Sequence, residues 1–326
     1  MSTWRRLRAL FLISFQSPRI DALTKRFETT GDPADLDAAI TATLEMIEKP
    51  AVRGDRQIYS VACWEAARLV RARVDLAYGR LAALRDGPRG EGDDDTEAAE
   101  RQARQAEAWA SAAADLNLFV SLMRRSVADF PDYSAYVAGA SVDLADALTR
   151  RFWLRDSIDD PEAGADLTAA IACYVGVLEN HQPAGQNLHV CLIALADLHL
   201  ERHRTALAEP DDLATAESYA RRGLTIPDLD PGLHLETMCI LADMLVERVV
   251  EGDAEHLGTI DEAIGLYEEA LRRLAEGDVN RELPRIQANL ASAFRLRYLA
   301  TRDPEALDRQ IALLAETLSE RGLRWM

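Results

Sequence analysis

Residues that interrupt helices are scarce in this chain, with only 12 prolines and 17 glycines among its 326 residues. Runs of alternating β-branched residues between turn signals, which would indicate strands, are missing as well. Hydrophobic residues nevertheless make up 48% of the sequence, which is enough to form a folded core. Because the composition is also rich in Ala, Leu, Glu and Arg, which favour helices, the sequence predicts an all-α protein.

Cysteine and basic charge are also in short supply. The four cysteines, Cys63, Cys173, Cys191 and Cys239, lie far apart and form no CxxC pair. This spacing indicates reduced, mostly buried thiols and a cytoplasmic location rather than a disulfide framework. Lys and Arg number 37 against 55 Asp and Glu, so the net charge of −18 disfavours nucleic acid and favours a basic or apolar partner.

The sequence lacks the motifs of common catalytic, cofactor and metal sites. It contains no Gly-rich phosphate loop and no Gly-x-Ser-x-Gly. His199 and His203 are four residues apart, but the intervening LER does not match His-Glu-x-x-His, so a surface histidine pair is favoured over a metal site. The run Asp93–Asp95 is interpreted as a solvated helix start rather than a cation site. We therefore predict that the protein is not an enzyme and carries no cofactor or metal.

One polar frame recurs along the chain: an Asp followed five residues later by an Arg, as in LADALTRRFW, LADLHLERHR and LADMLVERVV. Six copies occur, with Ser in place of Asp in the last: Asp21/Arg26, Asp75/Arg80, Asp146/Arg151, Asp197/Arg202, Asp243/Arg248 and Ser292/Arg297. Most copies are followed by an acidic Gly/Asp/Pro turn, in which Asp suits a helix N-cap and Pro suits the first helical turn.

Each unit is therefore a helix, an acidic turn and a second helix. A single hairpin of this kind cannot bury its apolar face, whereas stacked hairpins can. The sequence predicts one domain over residues 1–326 made of stacked hairpins, with approximate boundaries at 18–49, 55–130, 131–181, 184–225, 231–277 and 279–321.

The helices carry a family resemblance. The pattern Ala-Ile-x-x-Tyr-x-x-Ala-Leu at 263–271 and AIACYVGVL at 170–178 resemble the second helix of a tetratricopeptide (TPR) repeat. LTKRFETTGDPADLDAAI, residues 23–40, resembles a long-repeat variant found in arrays that accompany CHAT-type proteases or nucleotide-binding signalling modules. The resemblance implies a right-handed superhelical solenoid of about six αα-hairpin repeats, whose first helices line a concave face.

Two regions depart from the repeat. In residues 1–17, Trp4, Leu7, Phe11 and Phe15 fall on one stripe and predict an amphipathic helix. That helix either covers the end of the core or docks weakly on a partner or a membrane surface. Residues 86–95 predict an acidic, Gly-rich loop, and the long helix after it is either a docking arm or a length variant of an ordinary repeat.

The recurring Asp and Arg have two possible roles. Five residues rotate a helix by about 140°, so the two side chains do not face each other within one helix. They could form a row that binds a peptide, or each Arg could pair with the turn carboxylates of its own or the next repeat. Because repeats share interfaces but rarely share ligands, the packing role is favoured.

The function predicted from these features is a non-catalytic scaffold that binds a peptide or protein through the concave face. The predicted partner-binding positions are exposed sites on the first helices: Tyr136, Asp143, His189, Glu236 and Arg285. Three alternatives remain: a ligand- or peptide-responsive sensor that controls an effector such as a CHAT-type protease, an enzyme whose site is hidden in the groove, and a fragment of a larger signalling protein. Perturbed carboxylates clustered in a deep pocket would favour the enzyme.

Overall fold

The structure is a computed structural model that describes residues 18–86, 95–128, 134–227, 230–252, 256–275 and 283–320. The amphipathic helix predicted for residues 1–17 lies outside this range, as do Asp93 and Asp94 of the acidic run. The described chain divides into two compact units, of which the first ends at Val177 and the second begins at Leu178.

Every regular element in the described ranges is a helix, which confirms the all-α prediction. The first unit contains α1 (Pro18–Thr30), α2 (Pro33–Ile47), the short α3 (Pro50–Arg53), α4 (Arg56–Asp86), α5 (Asp95–Ala128), α6 (Ser134–Asp156) and most of α7 (Ala163–His181). The second contains α8 (Gly185–Arg204), α9 (Asp212–Leu224), α10 (Pro231–Val250), α11 (His256–Ala275), α12 (Leu283–Thr301) and α13 (Pro304–Glu320). No described helix is both long enough and apolar enough to cross a membrane.

Within each unit, helices pack mainly on their neighbours in the sequence. In the first unit α1 packs on α2, α2 on α4, α4 on α5 and α5 on α6. In the second unit each helix from α8 to α12 contacts the next one, and α10 also contacts both α8 and α12. This arrangement is consistent with stacked helical hairpins, while the number of repeats and the handedness of a superhelix stay predictions.

The turns use the capping chemistry that the sequence predicts. The carboxylate of Asp32 accepts a hydrogen bond from the amide of Ala34 at 2.9 Å, and Pro33 begins α2. Asp230 caps α10 in the same way, immediately before Pro231. The first of these turns passes through Gly31, whose φ of 68° favours glycine because a side chain there is strained.

The apolar faces of the second unit meet in one core. In α11 the pattern predicted from the sequence is buried, since Ile260, Ala263, Tyr267 and Ala270 are each at most 1% exposed. These residues belong to one hydrophobic cluster with side chains of α8, α9, α10, α12 and α13. The spacing of apolar residues therefore identified the buried face of this helix correctly.

In three hairpins the frame arginine pairs with an aspartate in the first turn of the following helix. Arg26 lies 3.0 Å from Asp35. Arg151 and Asp166 approach to 2.5 Å through two parallel hydrogen bonds. A carboxylate at this position also meets the positive end of its helix, so the pair joins the two helices of one hairpin. These contacts confirm the packing role for these copies.

The third of these pairs is the most deeply buried. Arg202 donates to both carboxylate oxygens of Asp212, with a shortest distance of 2.6 Å, and the two residues are 8% and 1% exposed. Burial acts to raise the pKa of Asp212, but hydrogen bonds from Arg202, the Glu209 amide and His199 outweigh it and the pKa is lowered. The ionised carboxylate is therefore a structural part of the α8–α9 hairpin.

The last two frame arginines pair differently from the prediction. Arg248 of α10 reaches back to Glu217 of α9 at 2.8 Å. Arg297 of α12 reaches back to Asp261 of α11 at 3.3 Å. Both partners lie on the second helix of the preceding hairpin, whereas the sequence predicts turn carboxylates of the same or the next repeat. The role is still packing, but here the arginine connects successive hairpins.

Replacement of Arg202 by Met is expected to lower the free energy of unfolding by about 3 kcal/mol, because it leaves the carboxylate of Asp212 buried without its main cation. The same replacement at Arg26 is expected to cost less than about 1 kcal/mol, because that ion pair is hydrated; the Arg26 side chain is 67% exposed. Urea unfolding at pH 7, followed by far-UV circular dichroism, measures both losses. Equal losses at the two positions would contradict this assignment.

Candidate functional site

Two of the five predicted partner-binding residues, Tyr136 and His189, are buried, so the expectation that they are exposed is wrong. Tyr136 is 6% exposed and packs edge-on against Trp64 with ring centroids 4.7 Å apart. Its hydroxyl lies 3.1 Å from the hydroxyl of Ser126. Burial raises the pKa of Tyr136 to about 12, which keeps the phenol neutral. The residue is part of the core that joins α4, α5 and α6.

His189 is completely buried between α8, α9 and α10. Its Nε2 lies 3.1 Å from the hydroxyl of Thr237, which itself donates to the carbonyl of Leu233 at 2.8 Å. The hydroxyl therefore accepts a hydrogen bond from Nε2–H, and the imidazole is neutral. Burial, assisted by the charge of His234, lowers the pKa of His189. Gly223 of α9 packs beside the ring, since a Cβ there would lie 3.5 Å from His189 Cδ2, in ordinary van der Waals contact.

Asp143 is half-buried and serves mainly as an acceptor between α4 and α6. The indole Nε1 of Trp64 donates to its carboxylate at 2.7 Å, and Arg71 lies 3.4 Å away. Burial outweighs these two interactions and raises the pKa of Asp143. Arg71 also contacts Asp146 at 3.3 Å, so the polar side chains of this face are largely paired with one another.

In the second unit, Arg285 lies beside Asp243 of the neighbouring first helix. The closest approach of the two charged groups is 3.7 Å, and the Arg285 side chain is 48% exposed. Asn289 donates to the Asp243 carboxylate at 2.8 Å, and the buried Tyr267 hydroxyl donates to it as well. Burial nevertheless raises the pKa of Asp243. Arg285 thus marks the edge of a polar face formed by α10 and α12.

Glu236, the remaining predicted position, is exposed and lies in a group of carboxylates on α8 and α10. We call Asp197, Glu201, Glu236 and Asp243 the acidic patch. Burial, together with the charges of the other three members, raises the pKa of Asp197 to about 7, and only Arg204 opposes this effect. The structure thus brings Glu236 and Asp243 close to Asp197, and Asp197 and Asp243 occupy the same position of the recurring frame.

Asp197 is the least satisfied carboxylate of the acidic patch. It accepts no hydrogen bond from any residue that the structure describes. The guanidinium of Arg204 is bound instead to Glu201 at 2.9 Å and to Glu247 at 2.8 Å. Because a shielded carboxylate without a donor or a cation is unfavourable, an additional positive group at this position would be stabilising. The patch can therefore bind a cation that the described chain does not supply.

The two histidines of α8 have separate partners. His199 is 7% exposed and lies 2.7 Å from the carboxylate of Asp212, so the prediction that this is a surface pair is wrong for His199. His203 lies 2.7 Å from Glu251. No group of three or more metal-binding side chains occurs among the described residues. Sequence spacing could not show that the two rings turn to different neighbours.

Asp197→Asn is expected to stabilise the protein more at pH 8 than at pH 5. The folded-state pKa of Asp197, about 7, lies above that of an unfolded aspartate, so the folded chain binds an extra proton as the pH falls through this range. The penalty of the native carboxylate is therefore complete above pH 7, shrinks as the pH falls, and disappears only below the pKa of an unfolded aspartate, about 4. We expect a gain of about 2 kcal/mol at pH 8, allowing for partial hydration of the group.

Urea unfolding at pH 5 and pH 8 measures this difference between Asp197→Asn and the native chain. Asp308→Asn, at an exposed carboxylate on α13, serves as the control and is expected to have little effect at either pH. A gain for Asp197→Asn that does not change with pH would show that the carboxylate is not responsible.

Comparison with known proteins finds only a distant likeness. No protein-family model matches the chain, and no curated protein matches it. One similar solved structure is described by the words "The hypoxic regulator of sterol synthesis Nro1 is a nuclear import adaptor". It has a TM-score of 0.42 and 12% sequence identity, over 99% of this chain and 94% of that chain. The likeness is too distant to assign a function, and the tetratricopeptide resemblance stays a prediction.

Proposed function

We propose that the protein is a non-catalytic scaffold that binds a peptide or protein partner, and that the acidic patch contacts a lysine- or arginine-containing segment of that partner. The observation that carries the proposal is Asp197, a shielded carboxylate with a raised pKa and no hydrogen-bond donor among the described residues. A partner cation placed there would restore the ionised carboxylate and compensate its lost hydration.

The position of the patch supports a macromolecular partner. Its members lie on α8 and α10, which contact each other, and α12 continues the same row of first helices. Glu236 is exposed, and Arg285 stands at the other edge of the row on α12. An extended segment that crosses this row would meet carboxylates first and then a guanidinium. Rigid helices fix these groups in advance, which reduces the entropy lost on binding.

Electrostatics also favour a basic partner. The chain has a net charge of −18, so a polyanion would be repelled over most of the surface and a basic segment would be attracted. A cytoplasmic location remains part of the proposal, supported by four cysteines that are all free thiols. A non-catalytic role is favoured because Asp197 has no hydrogen-bonded partner among the described residues that could orient it for proton transfer.

Binding of a basic peptide tests the proposal. A fluorescein-labelled peptide of alternating lysine and alanine, titrated with the full chain, is expected to show a saturable rise in anisotropy. An alternating glutamate and alanine peptide is expected not to bind. Glu236→Lys is expected to weaken binding about tenfold, because it places a like charge inside the contact. The affinity should also fall as salt is added, since part of the interaction is screened.

Asp308→Lys is the matched control, because it changes the net charge equally at an exposed position on α13. It is expected to change the affinity less than about twofold. If both reversals weaken binding to the same extent, the interaction depends on overall charge and the acidic patch is not the site.

A further inference from the structure

The first unit contains an open cavity of about 800 Å³ between α4, α5 and α6. Its ten lining residues come from all three helices and from the residue that follows α6: Tyr78, Leu81, Ala82, Gln102, Gln105, Ala106, Trp109, Trp153, Leu154 and Ser157. The cavity shares no residue with the acidic patch, which belongs to the second unit.

The lining of this cavity is aromatic and uncharged. None of the ten lining residues that the structure describes is charged, although charged residues make up 28% of the whole sequence. Three of the ten are aromatic, and Trp153 remains 40% exposed. An indole left partly in water loses much of the free energy that its burial would provide. The lining is therefore complementary to a neutral, largely apolar ligand, and a charged ligand would find no counter-ion in it.

Most polar side chains of the cavity walls already form hydrogen bonds within the protein. The Tyr78 hydroxyl donates to the carbonyl of Arg150 at 3.2 Å, and the Ser157 hydroxyl donates to that of Leu154 at 2.6 Å. The Gln105 amide donates to the carbonyl of Leu84 at 3.4 Å. The amide of Gln102 makes no hydrogen bond with a described residue, so both its donor and its acceptor remain for a ligand.

The size of the cavity favours a compact ligand over a helix. Along α5 the lining runs from Gln102 to Trp109, which is seven residues or about 10 Å. A peptide helix stable enough to dock has about 12 residues and is roughly 18 Å long, so much of it would lie outside a 10 Å lining, whereas 10 Å accommodates one or two fused rings. The volume also falls in the range of small-molecule sites.

From these observations we propose that the cavity binds a small, neutral aromatic molecule, which packs against Trp109 and Trp153 and directs a polar edge to Gln102. This site is independent of the partner-binding surface proposed above and goes beyond it. It would give the chain a ligand-binding function in its first unit, whatever partner the second unit binds.

A neutral aromatic dye, N-phenyl-1-naphthylamine, whose naphthalene provides two fused rings, is the probe for the test. Titrated into the full chain, it is expected to show a saturable increase in fluorescence. Ala106→Trp fills the cavity at an exposed position without removing a native contact, so it should weaken binding at least about tenfold. Gln102→Glu, which places a charge in the lining, should also weaken it. The matched control is Ala312→Trp at an exposed position on α13, which is expected to leave binding unchanged.

Competition identifies the class of ligand. Displacement of the dye by indole, but not by indole-3-acetate at the same concentration, would support a neutral aromatic ligand. Displacement only by an apolar helical peptide would overturn the proposal in favour of a protein partner. Equal binding to the native chain and Ala106→Trp would also overturn it, as would absence of binding. Circular dichroism melting curves confirm that each variant is folded. The basic-peptide assay tests the acidic patch, which shares no residue with this cavity. Failure of either assay therefore leaves the other proposal standing.

Discussion

An arginine near the end of one helix, held by a carboxylate of another helix, is the interaction that recurs along this protein, at five of the six copies of the Asp/Arg frame. At Arg151 and Arg202 the guanidinium pairs bidentately with a first-turn aspartate that is nearly inaccessible to water. The geometry fixes the distance and direction of the second helix relative to the first, beyond what apolar packing alone specifies. Because such a pair is costly to break once buried, it selects one register for the hairpin.

Much of this architecture could be predicted from the sequence, because its causes are local. The turn that contains Asp32 and Pro33 indicated a helix start, and the apolar spacing in α11 identified the buried face. Contacts between side chains of different helices were less predictable. Tyr136 and His189 are polar residues whose burial depends on Ser126 and Thr237, which lie on other helices. A helical wheel gives the direction of a side chain but not the neighbour that it meets.

The candidate sites also depend on contacts between helices that the sequence does not show. The recurring frame placed Asp197 and Asp243 at equivalent positions, yet nothing in the sequence indicates that Glu236 approaches Asp197 closely enough to affect its pKa. The aromatic cavity requires α4, α5 and α6 to converge, and its lining residues span positions 78 to 157. Trp109 and Trp153 are 44 residues apart in the sequence, and no motif links them. Only the packing of three helices shows that both indoles line one open space.

Two arginines of the second unit pair with carboxylates that precede them in the sequence. Arg248 and Arg297 each pair with a carboxylate of the preceding hairpin, Glu217 and Asp261. On a ribosome, which releases the chain from its N-terminus, each of these carboxylates emerges before the arginine that binds it. A newly made hairpin therefore finds the carboxylate that it pairs with already synthesised and need not wait for later sequence. The placement of these two charges is thus compatible with assembly in the order of synthesis.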